Sequence, residues 1–256
     1  MRKEFLGVYT IWLRDVKKFF RDRPRIIGSI AQPALFLFVL GSGLASSFKL
    51  FGGGGGQEFL TFMFPGIISM TVLFTAFFNA MSIVWDREFG FLKEVLVSPI
   101  SRTSIVIGKN LGGSTVAMIQ GLIILAFAPV IKVKLSLISF FKLIPATFLA
   151  AMAISSFGIA LAARLKSMQA FQVLTNFILM PMFFLSGALF PIINAPQWLN
   201  FVARINPLSY SVDMLRTIIL GKTITQMHPL YIDILVTVGV IVVLSSVGIV
   251  LFNKQD

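Results

Sequence analysis

The sequence predicts an all-α integral membrane protein with six transmembrane helices, an N-terminal amphipathic interfacial helix and short re-entrant helices between the last two spans. Three observations predict it. Six long apolar runs (26–48, 59–84, 105–131, 141–163, 170–190 and 230–252) occupy most of the 256 residues. Hydrophobic residues make up 57% of the chain and charged residues 12%, with a mean hydropathy of +0.91. The charge sits almost wholly in the short gaps between runs. A bilayer core about 30 Å thick needs roughly 20 apolar residues to span it as a helix. Soluble core helices rarely stay apolar on every face over such lengths.

Composition also excludes classes of function. With no cysteine there are no disulfides, thiolate nucleophiles or cysteine-based zinc sites. The one histidine, His228, lies in a polar gap before the last run and reads as a solvated loop residue. The net charge of +12 could suggest nucleic acid, but the basic residues flank apolar runs, where they meet anionic headgroups. A lipid membrane is therefore the expected partner, and nucleic acid is not. With the N-terminus inside, the inner side holds Arg2, Lys3, Arg14, Lys17, Lys18, Arg21, Arg23, Arg25, Arg87, Lys93, Arg102, Lys109, Arg164, Lys166 and Lys254. Only Lys49, Lys132, Lys134, Lys142, Arg204, Arg216 and Lys222 remain outside. The positive-inside rule thus puts both termini in the cytoplasm of a cell whose inner membrane the chain crosses six times.

Two segments are expected: an interface helix over 1–25 and a six-span domain over 26–256. In the first, Phe5, Val8, Tyr9, Trp12, Leu13, Val16, Phe19 and Phe20 share one helical arc. Thr10, Arg14, Lys17, Lys18 and Arg21 lie opposite, with Ile11 the misfit. Such a helix lies in the membrane surface or packs on the protein's own spans. Pro24 is expected to end it. Gly43-Leu44-Ala45 resembles a signal-peptidase site, but Pro33 interrupts the run and a helix precedes it, which favours an uncleaved first span. Gly52–Gly56 reads as a flexible tether, not a phosphate loop, because no strand and helix frame it. Gly221-Lys222-Thr223 lacks the glycine five positions earlier that a phosphate loop needs.

The gap between the second and third spans predicts a short amphipathic helix over 86–97, stopped by Pro99. Asp86, Gly90, Lys93 and Glu94 fall on one side, and Glu88 falls on the apolar arc, where a carboxylate needs a partner. That partner is expected on another subunit or on the N-terminal basic helix. Before the last span, Pro196 opens a piece striped with Trp198, Phe201, Val202 and Ile205. Asn206-Pro207 then reads as N-cap and first helical residue. Leu208, Val212, Leu215 and Ile219 share a face of the helix that follows, and Asp213 is placed to meet Arg216 at i, i+3. These pieces are too short to span and too apolar to be fully solvated, so they are expected to dip into the outer leaflet.

Taken together, the chain resembles the type-2 ATP-binding-cassette (ABC) transporter permeases, the group that includes daunorubicin-resistance and multidrug-export permeases. The resemblance covers essentially the whole chain. It rests on the basic N-terminal helix, the six spans and Asp86-Arg87-Glu88 … Ser98-Pro99. Ser186-Gly187 through Pro191, Pro196-Gln197-Trp198-Leu199, Asn206-Pro207-Leu208-Ser209-Tyr210 and Asp213-Met214-Leu215-Arg216 complete it. The resemblance implies that Asp86, Arg87, Glu88, Gly90 and Glu94 belong to a cytoplasmic coupling helix that docks on an ATPase. It implies that Pro191, Trp198, Asn206, Pro207, Asp213 and Arg216 belong to re-entrant helices closing the pathway outside. The expected partners are two copies of a cassette ATPase, which would bind the ATP and Mg, and a second permease copy. No nucleotide site, metal or catalytic group is expected in this chain.

Other classes fit less well. An intramembrane enzyme needs polar catalytic groups in the spans, whereas Asp233 is the one carboxylate clearly entering one. No filter-like loop suggests a channel, and no repeated halves or midplane charges suggest ion-coupled transport. A transporter or channel not driven by ATP is the alternative from another class. Phe74, Phe78, Asn79, Asn176 and Phe183 are candidate pathway linings. A largely apolar pathway favours a hydrophobic or amphipathic drug-like or lipid substrate over the alternative cargo, a polysaccharide or lipid-linked glycan.

Overall fold

The structure, a computed structural model, describes residues 2–43, 56–89, 100–165, 167–192, 195–221 and 226–253. Among them there is no strand. The helices are α1 (Arg2–Arg21), α2 (Arg23–Leu35), α3 (Gly56–Glu88), α4 (Arg102–Ile124) and α5 (Leu137–Ala162). They continue with α6 (Met168–Phe184), α7 (Gln197–Ile205), α8 (Pro207–Leu220) and α9 (Leu230–Asn253). A π-helical stretch, Phe36–Leu40, extends α2 just after Pro33. Proline lacks an amide proton and its ring crowds the preceding turn, so the regular α-helical ladder is interrupted in this region.

Among the described residues, five segments are long and apolar enough to cross a membrane: Ile26–Gly43, Glu58–Glu88, Arg102–Phe127, Leu137–Ala162 and Leu230–Asn253. The fifth expected span differs. Instead of a helix to residue 190, α6 stops at Phe184 after 17 residues, a rise of about 25 Å. The chain turns because Gly187 adopts φ 77°, in the left-handed region where glycine carries no Cβ penalty. Ser186 Oγ donates to Phe183 O at 2.7 Å and so satisfies one of the helix's terminal carbonyls.

At the heart of the bundle α3 packs against α4, α5, α6 and α8, and its Phe64, Ile67, Leu73 and Phe77 are fully buried. Small residues let the helices approach closely, the usual device where lipid removes the hydrophobic drive for helix pairing. A Cβ on Gly113 would lie 2.9 Å from Asn79 Nδ2, and one on Gly158 2.9 Å from Ala80 Cβ. A polar seam joins α4, α5 and α9: Asn110 Nδ2 donates to Ser156 Oγ at 2.8 Å, and Ser156 and Ser245 hydroxyls pair at 3.0 Å.

The N-terminal helix lies along α4. Its buried residues are Gly7, Ile11, Asp15 and Phe19, a strict i, i+4 ladder. On α4, Cβ atoms added to Gly108 and Gly112 would come within 2.9 Å of Ile11 Cβ and Asp15 Cβ. Ile11, the misfit of the amphipathic pattern, is therefore the knob that enters this groove. Phe5, Tyr9 and Phe20 remain exposed on another face, as an interfacial helix requires. Both functions are carried on one helix. It ends at Arg21, with Asp22 as the break, and Pro24 instead sits in the first turn of α2, where its missing N–H costs nothing.

The expected 86–97 helix is not separate at its start. No breaker follows Val84, so Asp86, Arg87 and Glu88 form the last turn of the 33-residue α3. Gly90 and Glu94 lie outside the described residues, as do 52–55, Lys166, Lys222 and Thr223.

Candidate coupling junction, lateral groove and outer gate

The start of α1, the end of α3, the start of α4 and the last turn of α9 meet at one end of the bundle. Charged side chains there sit on helix ends of opposite dipole sign. Arg87 donates to the carbonyls of Leu165, Ala163 (3.2 Å) and Ala162 (3.4 Å), at the C-terminus of α5. Glu88 accepts from the Met168 amide at 3.0 Å, at the N-terminus of α6. Arg102 donates to Phe252 O and Asn253 O at 2.8 and 3.0 Å, closing α9. Glu4 accepts from the Ser101 amide (3.0 Å) and the Ser104 hydroxyl (2.6 Å), at the start of α4. Hydrogen bonds from Ser104 and Ser101 hold the Glu4 carboxyl below its ordinary range. Each pairing satisfies end groups that a helix leaves without partners and places a charge against the dipole of opposite sign.

Asp86 belongs to an ion network whose buried members are Lys109 and Asp15. Lys109 Nζ, on α4, lies 3.4 Å from Asp15 Oδ1 and 3.6 Å from Asp86 Oδ2, and donates to Ser82 Oγ at 2.8 Å. Arg14 Nη2 approaches Asp86 Oδ2 at 3.6 Å. The triplet Asp86-Arg87-Glu88 thus touches α1, α4, α5 and α6. Glu88 is exposed, and its partner is a backbone amide of this same chain, not a cation of the N-terminal helix. Asp15 and Lys109 were not singled out from sequence. The signal was present in a lysine inside the third apolar run, which requires an acidic partner.

Beside this junction a cavity of about 520 Å³ opens on the flank of the bundle. Phe74, Phe78, Met81 and Trp85 of α3 form an apolar wall. Ser29 and Gln32 of α2, Thr75 and Gln120 add polar groups, and Lys18 and Asp22 also line it. Gln120 accepts from Thr75 and donates to Ser29, tying three helices. Of the other residues considered as linings, Asn79 packs against Gly113 and Phe183 is fully buried beside Phe184. Asn176 is exposed on α6, away from the buried Thr175 and Leu179.

At the far end, Asn206 caps α8: its Oδ1 accepts from Leu208 N at 3.0 Å and its Nδ2 donates to Met182 O at 2.6 Å. Pro207 takes the first helical position. Leu208, Val212, Leu215 and Ile219 are all buried. Trp198, Phe201 and Ile205 remain exposed along one face of α7, and Pro191 is exposed at the turn before it. The i, i+3 ion pair of Asp213 with Arg216 does not form. Arg216 Nη2 instead donates to Gly187 O at 2.8 Å, with its guanidinium 3.9 Å above the Phe62 ring. Burial pushes this guanidinium down to about 10, still charged at neutral pH. Asp213 Oδ2 accepts from the Met227 and His228 amides, both at 2.9 Å. His228 is half-buried rather than solvated and stacks on Tyr210.

These features define a polytopic α-helical membrane protein with interlocked helix ends and no soluble domain among the described residues. A profile of the ABC-2 type transporter family matches residues 7–220. The chain belongs to that family, which implies a membrane setting and a partner ATPase. It is 28% identical to the putative transport permease ycf38 of Cyanophora paradoxa over 93% of this chain and 86% of the relative. It is also 28% identical to nodulation protein J of Rhizobium leguminosarum bv. trifolii, covering 78% and 76% of the two chains. Similarity to the probable multidrug ABC transporter permease YbhR of Escherichia coli (strain K12) is 29% identity over 64% of this chain and 45% of that one.

Proposed function

We propose that the chain is the membrane-spanning subunit of an ATP-driven exporter, moving a hydrophobic or amphipathic, drug-like or lipid substrate out of the cytoplasm. The observation that carries this reading is the lateral groove: an aromatic wall lined also by Lys18 and Asp22, suited to a molecule with an apolar body and a charged head. The polar side of the groove, with Ser29, Gln32, Thr75 and Gln120, favours a second reading, a lipid-linked glycan. The relative named a probable multidrug ABC transporter permease agrees with the first reading.

In this reading two copies of the chain work with two cassette ATPases that bind ATP and Mg. The inner-membrane orientation has both termini in the cytoplasm, so the junction around Asp86-Arg87-Glu88 faces the ATPase. Gly90 and Glu94 follow it directly in sequence. Exposed Val173, Asn176 and Phe177 on α6 supply a face for the second copy. The test is reconstitution with a cassette ATPase from the same organism. Amphipathic dyes are expected to stimulate ATP hydrolysis, and Phe78→Ala or Trp85→Ala to abolish that stimulation. Stimulation by a lipid-linked glycan alone would select the second reading. ATP binding by the isolated chain, or transport unaffected by ATPase inactivation, would refute both. Cysteines placed at Gln197–Asn200 are expected to label from outside intact cells, and cysteines at Arg87 or Arg102 are not.

A further inference from the structure

At the end of the bundle opposite the coupling junction, three metal-ligating side chains converge from separate elements. Asp213 comes from α8, His228 from the turn before α9, and Asp233 from the first turn of α9. One ligand atom from each lies within 4.8 Å of the others. His228 Nδ1 is 3.9 Å from Asp233 Oδ1. Asp233 is completely buried, yet among the described residues neither of its carboxylate oxygens has a hydrogen-bond donor. Asp213 Oδ1 is likewise buried and without a donor, while its other oxygen is held by the two loop amides. Those amide bonds fix the loop that carries His228, and Tyr210 fixes the imidazole plane by stacking on it at 5.2 Å between centroids. The neighbouring cation, Arg216, forms no ion pair with Asp213: its Nη2 donates to Gly187 O and its guanidinium lies over the Phe62 ring, while its Nε is itself without a partner among the described residues.

Three buried carboxylate oxygens without donors, both of Asp233 and one of Asp213, facing an imidazole are costly in isolation. A divalent ion removes that cost, because its charge balances both carboxylates and the neutral imidazole completes the set. We propose that Asp213, His228 and Asp233 form a binding site for a zinc-class divalent cation that pins the start of α9 to α8. The nitrogen ligand selects a borderline transition metal over Mg²⁺ or Ca²⁺, which take all-oxygen sets. Tetrahedral bonds of about 2.0–2.1 Å bring ligand atoms to roughly 3.3 Å apart. From the present spacing, side-chain rotation within the 226–229 turn and the first turn of α9 supplies that closure.

The experiment uses the full chain purified in detergent and stripped of metal with a chelator. Zn²⁺ titrated calorimetrically is expected to bind at one ion per chain, to raise the unfolding temperature, and to resist a large excess of Mg²⁺. Co²⁺ in its place is expected to show the intense visible bands of a four- or five-coordinate ion. His228→Gln and Asp233→Asn are each expected to weaken Zn²⁺ binding by at least about 100-fold, since even outer-shell partners cost 10–100-fold. Failure of the wild-type chain to bind one Zn²⁺, or wild-type affinity in either variant, overturns the assignment. Should Asp233→Asn not yield monodisperse protein, His228→Gln decides alone, because that side chain lies outside the helices and is partly exposed.

Discussion

Replacing Lys109 with Met is expected to release the N-terminal helix from the bundle. Lys109 is 6% exposed and is the cation nearest Asp15, itself 6% exposed, whose second oxygen already lacks a donor. Without the lysine, Asp15 keeps only Arg14 Nε at 3.7 Å, from a side chain that is 47% exposed and well screened. Removing one member of a buried pair costs about 3–5 kcal/mol. Residual help from Arg14 puts this case near the lower end, about 3 kcal/mol, or roughly a 100-fold shift at 1.36 kcal/mol per decade. Since the network joins α1 to α3 and α4, the loss should appear as local opening of α1. Hydrogen exchange read residue by residue measures it: α1 amides should lose about two decades of protection while amides in the middle of α3 keep theirs. Adding Asp15→Asn to the variant should recover part of the loss, because the stranded charge is gone. Unchanged α1 protection in Lys109→Met, or no coupling between the two substitutions, would show that the glycine groove alone seats α1 and that the ion network adds nothing.

Gly66→Ala should lower the yield of folded protein sharply, because its Cβ would lie 2.8 Å from the Ala188 carbonyl carbon, backbone that cannot move aside; Gly28→Ala, with open space around it, serves as the control in a thermal-unfolding comparison. Glu88→Gln should cost the fold no more than about 1 kcal/mol, the value of a charge at an exposed helix N-terminus, so a large loss of ATPase stimulation with an unchanged unfolding temperature would identify a role in coupling beyond the α6 cap, and normal stimulation would confine Glu88 to that cap. The Glu4 carboxyl is held below its unfolded value, so its contribution to α1 docking is complete above the ordinary carboxylate range and disappears as pH falls through the lowered value; Glu4→Gln should flatten the acid limb of α1 exchange protection, and an identical acid limb in the variant would refute the cap.

Much of this architecture could be read from local sequence because hydropathy is a local property. The apolar runs, the Asn206-Pro207 helix start and the buried stripe Leu208, Val212, Leu215 and Ile219 each depend on residues within a few positions. The end of α6 was less legible, since it depends on Gly187 entering the left-handed region and on a carbonyl held by Arg216, 29 residues away. The N-terminal helix shows the boundary clearly. Its amphipathic period was visible, but Ile11 made sense only once Gly108 and Gly112 of α4 stood opposite it.

The triplet Asp86-Arg87-Glu88 is the sharpest instance of composition without partners. Its position before a polar gap marked it, whereas its contacts lie up to 80 residues on, at the ends of helices whose termini the sequence located only approximately. Geometry then limits what it can do. Successive residues on an α-helix point about 100° apart, so three in a row cannot present one continuous face to a docking subunit. Here each takes a different direction: Asp86 towards Arg14 and Lys109, Arg87 onto the end of α5, Glu88 onto the start of α6. The arrangement joins helices. A force applied to the chain immediately after residue 89 would reach four of them through charged contacts no longer than 3.6 Å, whichever surface the partner ATPase grips.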